Sequence, residues 1–234
     1  MQAVAEQPVS ARTRAARHDI YAIIHKAVRA ALADALLAAG RLDAGDPRDV
    51  ERTATAVRDT LAFCRDHLET ENAFVHPLME ARRPGSTGTV AAEHAAHAAA
   101  IARLSGLVDA LERAPEDGRA ASAATLYREL ALFVGENLVH MRAEEVDHNR
   151  VLWDACTDAE LVALENDIKA HHPPAAMTRA LRWMLPAVTP AERATLVAGV
   201  RAAAPAAVYG GVLALARAHV DAAGLAKLEA ALAA

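Results

Sequence analysis

Apolar residues recur in steps of three and four along the first two thirds of the chain. This spacing puts them on one face of a helix and is typical of helices that pack side by side in a bundle. It predicts four long helices over residues 12–39, 46–82, 89–114 and 119–155. Short loops join these helices, which favours antiparallel neighbours and an up-down-up-down four-helix bundle.

Local signals place the ends of the predicted helices. Gly40 is suited to end the first helix in the left-handed conformation, and Asp46 followed by Pro47 is a sound start for the second. Thr89 is predicted to cap the third helix. Pro77 falls inside the second helix, where the missing N–H predicts a kink or a break.

The pattern changes beyond residue 156. Thr157 with Glu160, and Thr189 with Glu192, have the spacing of a capping box at a helix start. Prolines divide the region, which is therefore predicted to form short helices with no internal repeat of fixed period. The predicted divisions are a disordered tail, a four-helix bundle and a C-terminal extension of short helices, over residues 1–11, 12–156 and 157–234.

Composition supports an all-α fold. Hydrophobic residues make up 53% of the 234 residues, aromatic residues only 3%, and the apolar content is mainly Ala and Leu, which favour helices. The net charge is −5 and the arginines form no basic stripe, which argues against nucleic-acid binding. No apolar run is long enough to cross a membrane. Two cysteines and no secretory signal predict a cytoplasmic protein.

Histidines and glutamates interrupt the apolar faces of all four predicted helices. His67 and Glu71 are four residues apart, and the same spacing recurs at His140 and Glu144. Residues at i and i+4 lie on one helix face, roughly 6 Å apart, so both members of a pair reach a single point in the core. In chain order these residues are His25, His67, Glu71, His94, His97, His140 and Glu144.

Two carboxylates in an apolar core need compensation. An unpaired carboxylate there costs several kcal/mol and tends to neutralise through a shift of its pKa. A pair of cations removes this cost, because imidazoles donate neutral nitrogens and carboxylates bridge and cancel positive charge. This donor set suits iron, zinc or copper better than calcium or magnesium.

The order of these residues resembles the hemerythrin-like family of non-heme di-iron proteins, also called the HHE cation-binding domain. The similarity covers about residues 15–157 and rests on DIYAIIHKAVR, HLETE, AAEHAAH and HMRAEE, one motif on each helix. It implies two non-heme iron ions with an oxo, hydroxo or water bridge, with Glu71 and Glu144 bridging and two histidines for each iron. The implied ligands are His25, His67, Glu71, His94, His140 and Glu144.

The chain departs from the oxygen-carrying hemerythrins. Those proteins carry a His-x-x-x-His pair on the third helix and an Asp after the last His, whereas here position 98 is Ala and the fourth helix offers Glu144. This is closer to a bacterial branch with two bridging glutamates, linked to iron-centre repair and nitrosative stress. His97 is a further candidate ligand, either in place of His94 or as a fifth histidine. The resemblance implies a protein that binds or activates O2, NO or H2O2 in sensing, stress response or oxidative chemistry.

Other histidines and acids are interpreted as accessory. His76 is placed on a different helix face, and Glu145 and His148 are expected to face away from the cations; Cys64 is expected to be a core residue.

Two other functions remain open. A ferritin-like oxidase needs two Glu-x-x-His motifs, and only residues 145–148 fit that pattern. In the other alternative, metal only staples the bundle and residues 157–234 bind a protein partner. The chain is expected to be a monomer or a homodimer, and whether the centre turns over a substrate is left open.

Overall fold

Four helical rods form the bundle in the computed structural model, which describes residues 17–233. The first rod is α1 and the third is α4; the second rod joins α2, a π-turn (π1) and α3, and the fourth joins α5, a second π-turn (π2) and α6. Their bounds are Ala22–Gly40 (α1), Pro47–Thr70 (α2), Glu71–Val75 (π1), His76–Arg82 (α3), Gly88–Arg113 (α4), Glu116–Ala143 (α5), Glu144–His148 (π2) and Asn149–Ala155 (α6). Over this described range the chain is helical and contains no strand, so the predicted all-α fold is confirmed.

The first rod is shorter than predicted. It begins at Ala22 rather than at residue 12, because the Asp19 carboxylate accepts hydrogen bonds from the N–H groups of Tyr21 and Ala22 and so satisfies the first turn. The predicted tail and residues 12–16 lie outside the described residues. Gly40 is the last helical residue and does not have the predicted left-handed conformation. A Cβ there would lie 3.1 Å from the Tyr127 ring, so close packing is what favours glycine.

The predicted start of the second rod is confirmed, whereas the predicted starts of the third and fourth rods were wrong. Asp46 caps α2 by accepting from the Arg48 N–H, as predicted. Thr89 does not cap α4, which begins one residue earlier. Instead the Glu80 carboxylate accepts from the Thr87 hydroxyl at 2.6 Å and from the Thr87 and Gly85 N–H groups. The fourth rod begins at residue 116, so most of the predicted 115–118 turn is already helical.

A π-turn occurs in the second and in the fourth rod, and neither was predicted. In π1 the N–H of His76 donates to the carbonyl of Glu71, five residues back. The rod therefore continues past Pro77 by widening at the turn before it, where a kink or a break was predicted. In π2 the N–H of Asn149 donates to the carbonyl of Glu144 in the same way, with no proline nearby. Each π-turn places one extra residue in its rod.

The bundle is packed around two apolar clusters. The larger, here called the main core, fills the space between the rods with fully buried side chains such as Leu104, Leu130 and Phe133. The smaller, the end core, lies where α3 and α6 meet and includes Met79 together with Tyr21, the residue before α1. Along the first, second and fourth rods the polar residues singled out above lie between residues of these two cores.

The extension is a regular array, and the prediction of no internal repeat was wrong. Its helices begin every sixteen residues, and each start follows a Thr, Pro or Asp. Both predicted capping boxes are present. Equivalent positions of the helices carry different side chains; for example, Leu161 and the buried Arg193 lie two periods apart. This variation hides the period in the sequence. The helices are Asp158–His171 (α7), Pro174–Ala187 (α8), Pro190–Ala203 (α9), Ala206–His219 (α10) and Ala222–Ala233 (α11).

The extension packs against the bundle mainly through α8, which contacts α1 and α2. Trp183 and Met184 of α8 pack on the main core, while α8 to α11 also enclose an apolar core of their own. An ion pair between Lys26 and Glu192, at 2.6 Å, joins α1 to α9. No helix within residues 17–233 combines the length and the apolar character needed to cross a membrane.

Candidate metal centre

The six residues that the sequence predicts as ligands converge at one interior point. Glu71 and Glu144 are 3% and 0% exposed, and the four imidazoles are buried or nearly so. Their donor atoms form two sets, in each of which all atoms lie within 4.8 Å of one another. The first set is His25, His67, Glu71 and Glu144; the second is His94, His140, Glu71 and Glu144. The two sets share both carboxylates.

Glu71 directs one oxygen toward each set. Its Oε1 lies 3.4 Å from His67 Nε2 and 3.8 Å from His25 Nε2. Its Oε2 lies 3.3 Å from His94 Nε2. A carboxylate placed in this way can bind two cations at once, one through each oxygen.

Glu144 repeats this arrangement from the opposite rod. Its Oε2 lies 3.4 Å from His25 Nε2, and its Oε1 lies 3.4 Å from His94 Nε2 and 3.2 Å from His140 Nε2. The His94 and His140 Nε2 atoms are themselves 3.0 Å apart. The two carboxylates and four imidazoles therefore surround two adjacent points.

The donor atoms fit a pair of transition-metal ions. Donors about 2.1 Å from one cation lie roughly 3.0–3.4 Å from each other at right-angle or tetrahedral spacing, which matches most of the distances above. All four oxygens of Glu71 and Glu144, with Nε2 of His25 and His67, are buried and lack a hydrogen bond of good geometry, although imidazole nitrogens lie near the carboxylates. Buried polar atoms without partners are costly, and cations would satisfy this group together. Neutral nitrogens with carboxylates suit iron, zinc or copper.

Outer side chains orient three of the imidazoles. The Nδ1 atom of His94 lies 2.8 Å from Asn72 Oδ1, and that of His140 lies 2.7 Å from Glu93 Oε2. In the tautomer whose Nδ1–H donates to these oxygens, Nε2 keeps its lone pair for a cation. The pattern is that of a metal-binding histidine with its supporting acceptor.

The same support exists at His25 and extends to the surface. Glu145 Oε1 lies 3.1 Å from His25 Nδ1, and Arg29 donates to both oxygens of this carboxylate, at 2.6 and 3.0 Å. The prediction that Glu145 faces away from the centre was therefore wrong: it contacts a ligand from outside. The i+4 rule used for the ligands carries no signal for such outer partners.

Titration of the centre is dominated by carboxylate–imidazole attraction. Burial lowers the pKa of His25, but attraction to the nearby carboxylates of Glu144, Glu145 and Glu71 outweighs it and raises that pKa to about 10. His94 behaves alike, with burial opposed by Glu144 and Glu71, and its pKa rises to about 9. Burial raises the pKa of Glu144, yet the nearby imidazoles of His140, His25 and His94 hold it well below its usual value. Both carboxylates thus remain anionic and ready to bind cations.

Two histidines near the π-turns face inward, although they were predicted to lie on other faces. Glu71 and Glu144 are each the first residue of a π-turn. The extra residue in the second rod brings His76 to the inward face, and His148 also faces inward; the two residues are 7% and 2% exposed. The His76 ring stacks on that of His94 at 4.7 Å. Counting 3.6 residues per turn puts His76, five residues after Glu71, on the wrong face. His148 is four residues after Glu144, so the i+4 spacing already favours an inward position, and the prediction overlooked it.

His97 and Cys64 lie close to the centre but join neither ligand set. His97 lies edge-on to His140, with ring centres 4.8 Å apart, but joins neither ligand set, so the geometry favours His94 over His97. Cys64 is buried among apolar residues, and burial raises the pKa of its thiol to about 12, so it is a core residue as predicted.

Comparison with known proteins gives one match. Neither the curated proteins nor the solved structures contain a significant match to this chain. The family model described as the hemerythrin HHE cation binding domain matches residues 18–149, over half of the chain and nearly all of the bundle. This range includes all six residues of the two ligand sets. The chain belongs to the hemerythrin family of metal-binding helical proteins.

Proposed function

We propose that the centre holds two non-heme iron ions and binds or activates a small ligand, O2, NO or H2O2, in sensing, stress response or oxidative chemistry. The observation that carries this proposal is the sharing of Glu71 and Glu144 between two ligand sets, each with two further imidazoles. When bound, two adjacent iron ions supply Lewis acidity and electrons for a small ligand. Each has four protein donors, and iron accepts more, so positions remain for that ligand.

The chain's own residues hold the centre rigid and dry. Two ligands lie on π-turns and four on α-helical segments of four different rods, so no single loop controls the geometry. Fully buried apolar side chains lie beyond it on both sides, with Phe133 in the main core and Met79 in the end core. Exclusion of water strengthens electrostatic interactions within the centre and limits the ligand to a small molecule.

The outer acceptors tune the imidazoles. Glu145 and Glu93 accept from Nδ1–H of His25 and His140, which raises the basicity of the opposite nitrogen.

The two cysteines bear on the location of the protein. Cys64 and Cys156 are both free thiols, which suits the reducing cytoplasm that we propose as the location.

Metal analysis with spectroscopy tests the proposal. Anaerobically purified protein loaded with Fe2+ should contain two irons per chain and should develop charge-transfer absorption on exposure to O2, NO or H2O2. Glu144→Gln should lose most of the iron, whereas His97→Gln should retain it, because His97 joins neither ligand set. Iron-free protein, or equal iron in the Glu144→Gln and His97→Gln variants, would overturn the proposal.

The second candidate is a metal-stapled interaction module. The separate apolar core of α8 to α11 favours it, because such a unit can present a surface for a partner independently of the bundle. The same experiment separates the two functions. A centre that binds two metals and stabilises the fold, yet shows no spectral response to any of the three small ligands, would support the module and not the proposed chemistry.

A further inference from the structure

A third set of donors lies beside the two that form the centre. It consists of His76, His148 and Glu144, one ligand atom from each lying within 4.8 Å of the other two. His76 directly follows π1, and Glu144 and His148 are the first and last residues of π2. It lies toward the end core, since the residues that follow it on both rods, such as Met79 and Val151, belong to that core.

Both imidazoles have an unused ring nitrogen. His76 Nε2 and His148 Nε2 are buried and have no hydrogen-bond partner. The residues are 7% and 2% exposed, so water does not readily satisfy these atoms. A neutral imidazole has a lone pair on one ring nitrogen, which is free to bind a cation when that nitrogen has no other partner.

Tyr21 orients one of the two rings. Its hydroxyl oxygen lies 3.3 Å from His148 Nδ1, and the side chain is fully buried in the end core. If the hydroxyl accepts from Nδ1–H, then Nε2 of His148 is left as a donor to a cation, the arrangement seen at the other imidazoles.

We propose that His76, His148 and Glu144 form a third cation position, which binds a divalent transition metal beside the two-cation centre. Two neutral imidazoles and a carboxylate suit zinc and iron. This position is weaker than the other two, because it has no carboxylate of its own and shares Glu144 with both of them. It therefore fills last and empties first, and it lies where a cation can be exchanged with the centre.

Zinc titration tests the third position, since Zn2+ binds these donors without redox chemistry. Metal-free full-length protein is titrated with Zn2+ against a chromophoric chelator, and crystals grown in excess Zn2+ are measured at the zinc absorption edge. We expect three equivalents and three anomalous peaks. The double variant His76→Gln/His148→Gln should lose the third peak and equivalent and retain two. The matched control His97→Gln, another buried imidazole beside the centre, should retain three.

Tyr21→Phe gives a second test that leaves all ligand atoms in place. It should weaken only the third equivalent, by about 10- to 100-fold, as expected when the partner of a metal-binding histidine is lost. Saturation of the wild type at two equivalents, or a third equivalent that survives in the double variant, would overturn the third position alone. Fewer than two equivalents in the wild type would overturn the two-cation centre as well, so the two failures are distinguishable.

Discussion

Glu145 offers a direct test of how the outer side chains support the centre. Its carboxylate contacts His25 Nδ1 from outside and is held in turn by Arg29. The Glu145→Gln substitution keeps the size of the side chain but removes its negative charge. The Nδ1–H of His25 then donates to a neutral oxygen, so its Nε2 becomes a less basic ligand.

The magnitude follows from the exposure of the acceptor. Loss of such a partner lowers metal affinity by about 10- to 100-fold, or roughly 1.4–2.7 kcal/mol. The Glu145 side chain is 29% exposed and that of Glu93 is 43% exposed, so solvent screens Glu93 more. We expect Glu145→Gln near the upper end of this range and Glu93→Gln near the lower end. Each substitution should weaken one cation, since His25 and His140 belong to different sets.

Stepwise zinc binding in competition with a chelator measures this effect. Wild-type protein, Glu145→Gln and Glu93→Gln are compared with Glu136→Gln, which removes the charge of an exposed residue on the same rod as Glu145. Wild-type protein should show two tight zinc dissociation constants. Glu145→Gln should weaken one of them and Glu93→Gln the other, whereas Glu136→Gln should change neither. Equal weakening of both steps by Glu145→Gln, or constants that match those of Glu136→Gln, would refute the reasoning.

Other measurements test the fold and its links to the centre. Chelation of the metal should lower the thermal unfolding midpoint, because a ligand at a hundredfold its dissociation constant stabilises by about 2.7 kcal/mol; identical midpoints would contradict the centre. Leu104→Ala should cost about 2–5 kcal/mol in urea unfolding because the side chain is fully buried, against little change for the exposed Leu132→Ala. Thr189→Ala removes a capping box and should cost about 1 kcal/mol by the same assay; an unchanged midpoint would mean that α9 does not depend on its cap. Hydrogen bonds from Thr87 and Gly85 hold the pKa of Glu80 at about 2, below its ordinary 4.5, so their stabilisation is present above pH 4.5 and is lost as the pH falls toward 2. Unfolding midpoints of metal-free wild type and Glu80→Gln should therefore differ near neutral pH and converge in acid; a constant difference would count against this.

The bundle and its ligand sets were predictable because they depend on periodicity. The three-and-four pattern identified all four rods, and the four-residue step from His67 to Glu71 and from His140 to Glu144 placed polar pairs on the faces that meet. The family match over residues 18–149 agrees with that interpretation. Whether these six residues bind metal remains a prediction for the experiments above.

The predictions that were wrong concern features that the spacing of apolar residues does not determine. A π-turn has no clear sequence signal, so the inward position of His76 was missed. His148 lies four residues after Glu144, and that spacing was overlooked. The start of α1 depends on the Asp19 side chain, not on the apolar pattern that continues before it. The sixteen-residue period of the extension lies in helix length and cap position, while its buried side chains vary from Leu161 to Arg193.

The π-turns have a consequence for how relatives of this chain should be aligned. Deleting one residue between Glu71 and His76 would restore ordinary helix geometry and rotate the rest of that rod by about 100°. All six candidate ligands of the two donor sets would survive such a deletion, while the third donor set would lose a member. The number of residues in this short segment therefore decides whether the third donor set can form. In an alignment, a one-residue gap there would distinguish relatives that lack this set from relatives that have it.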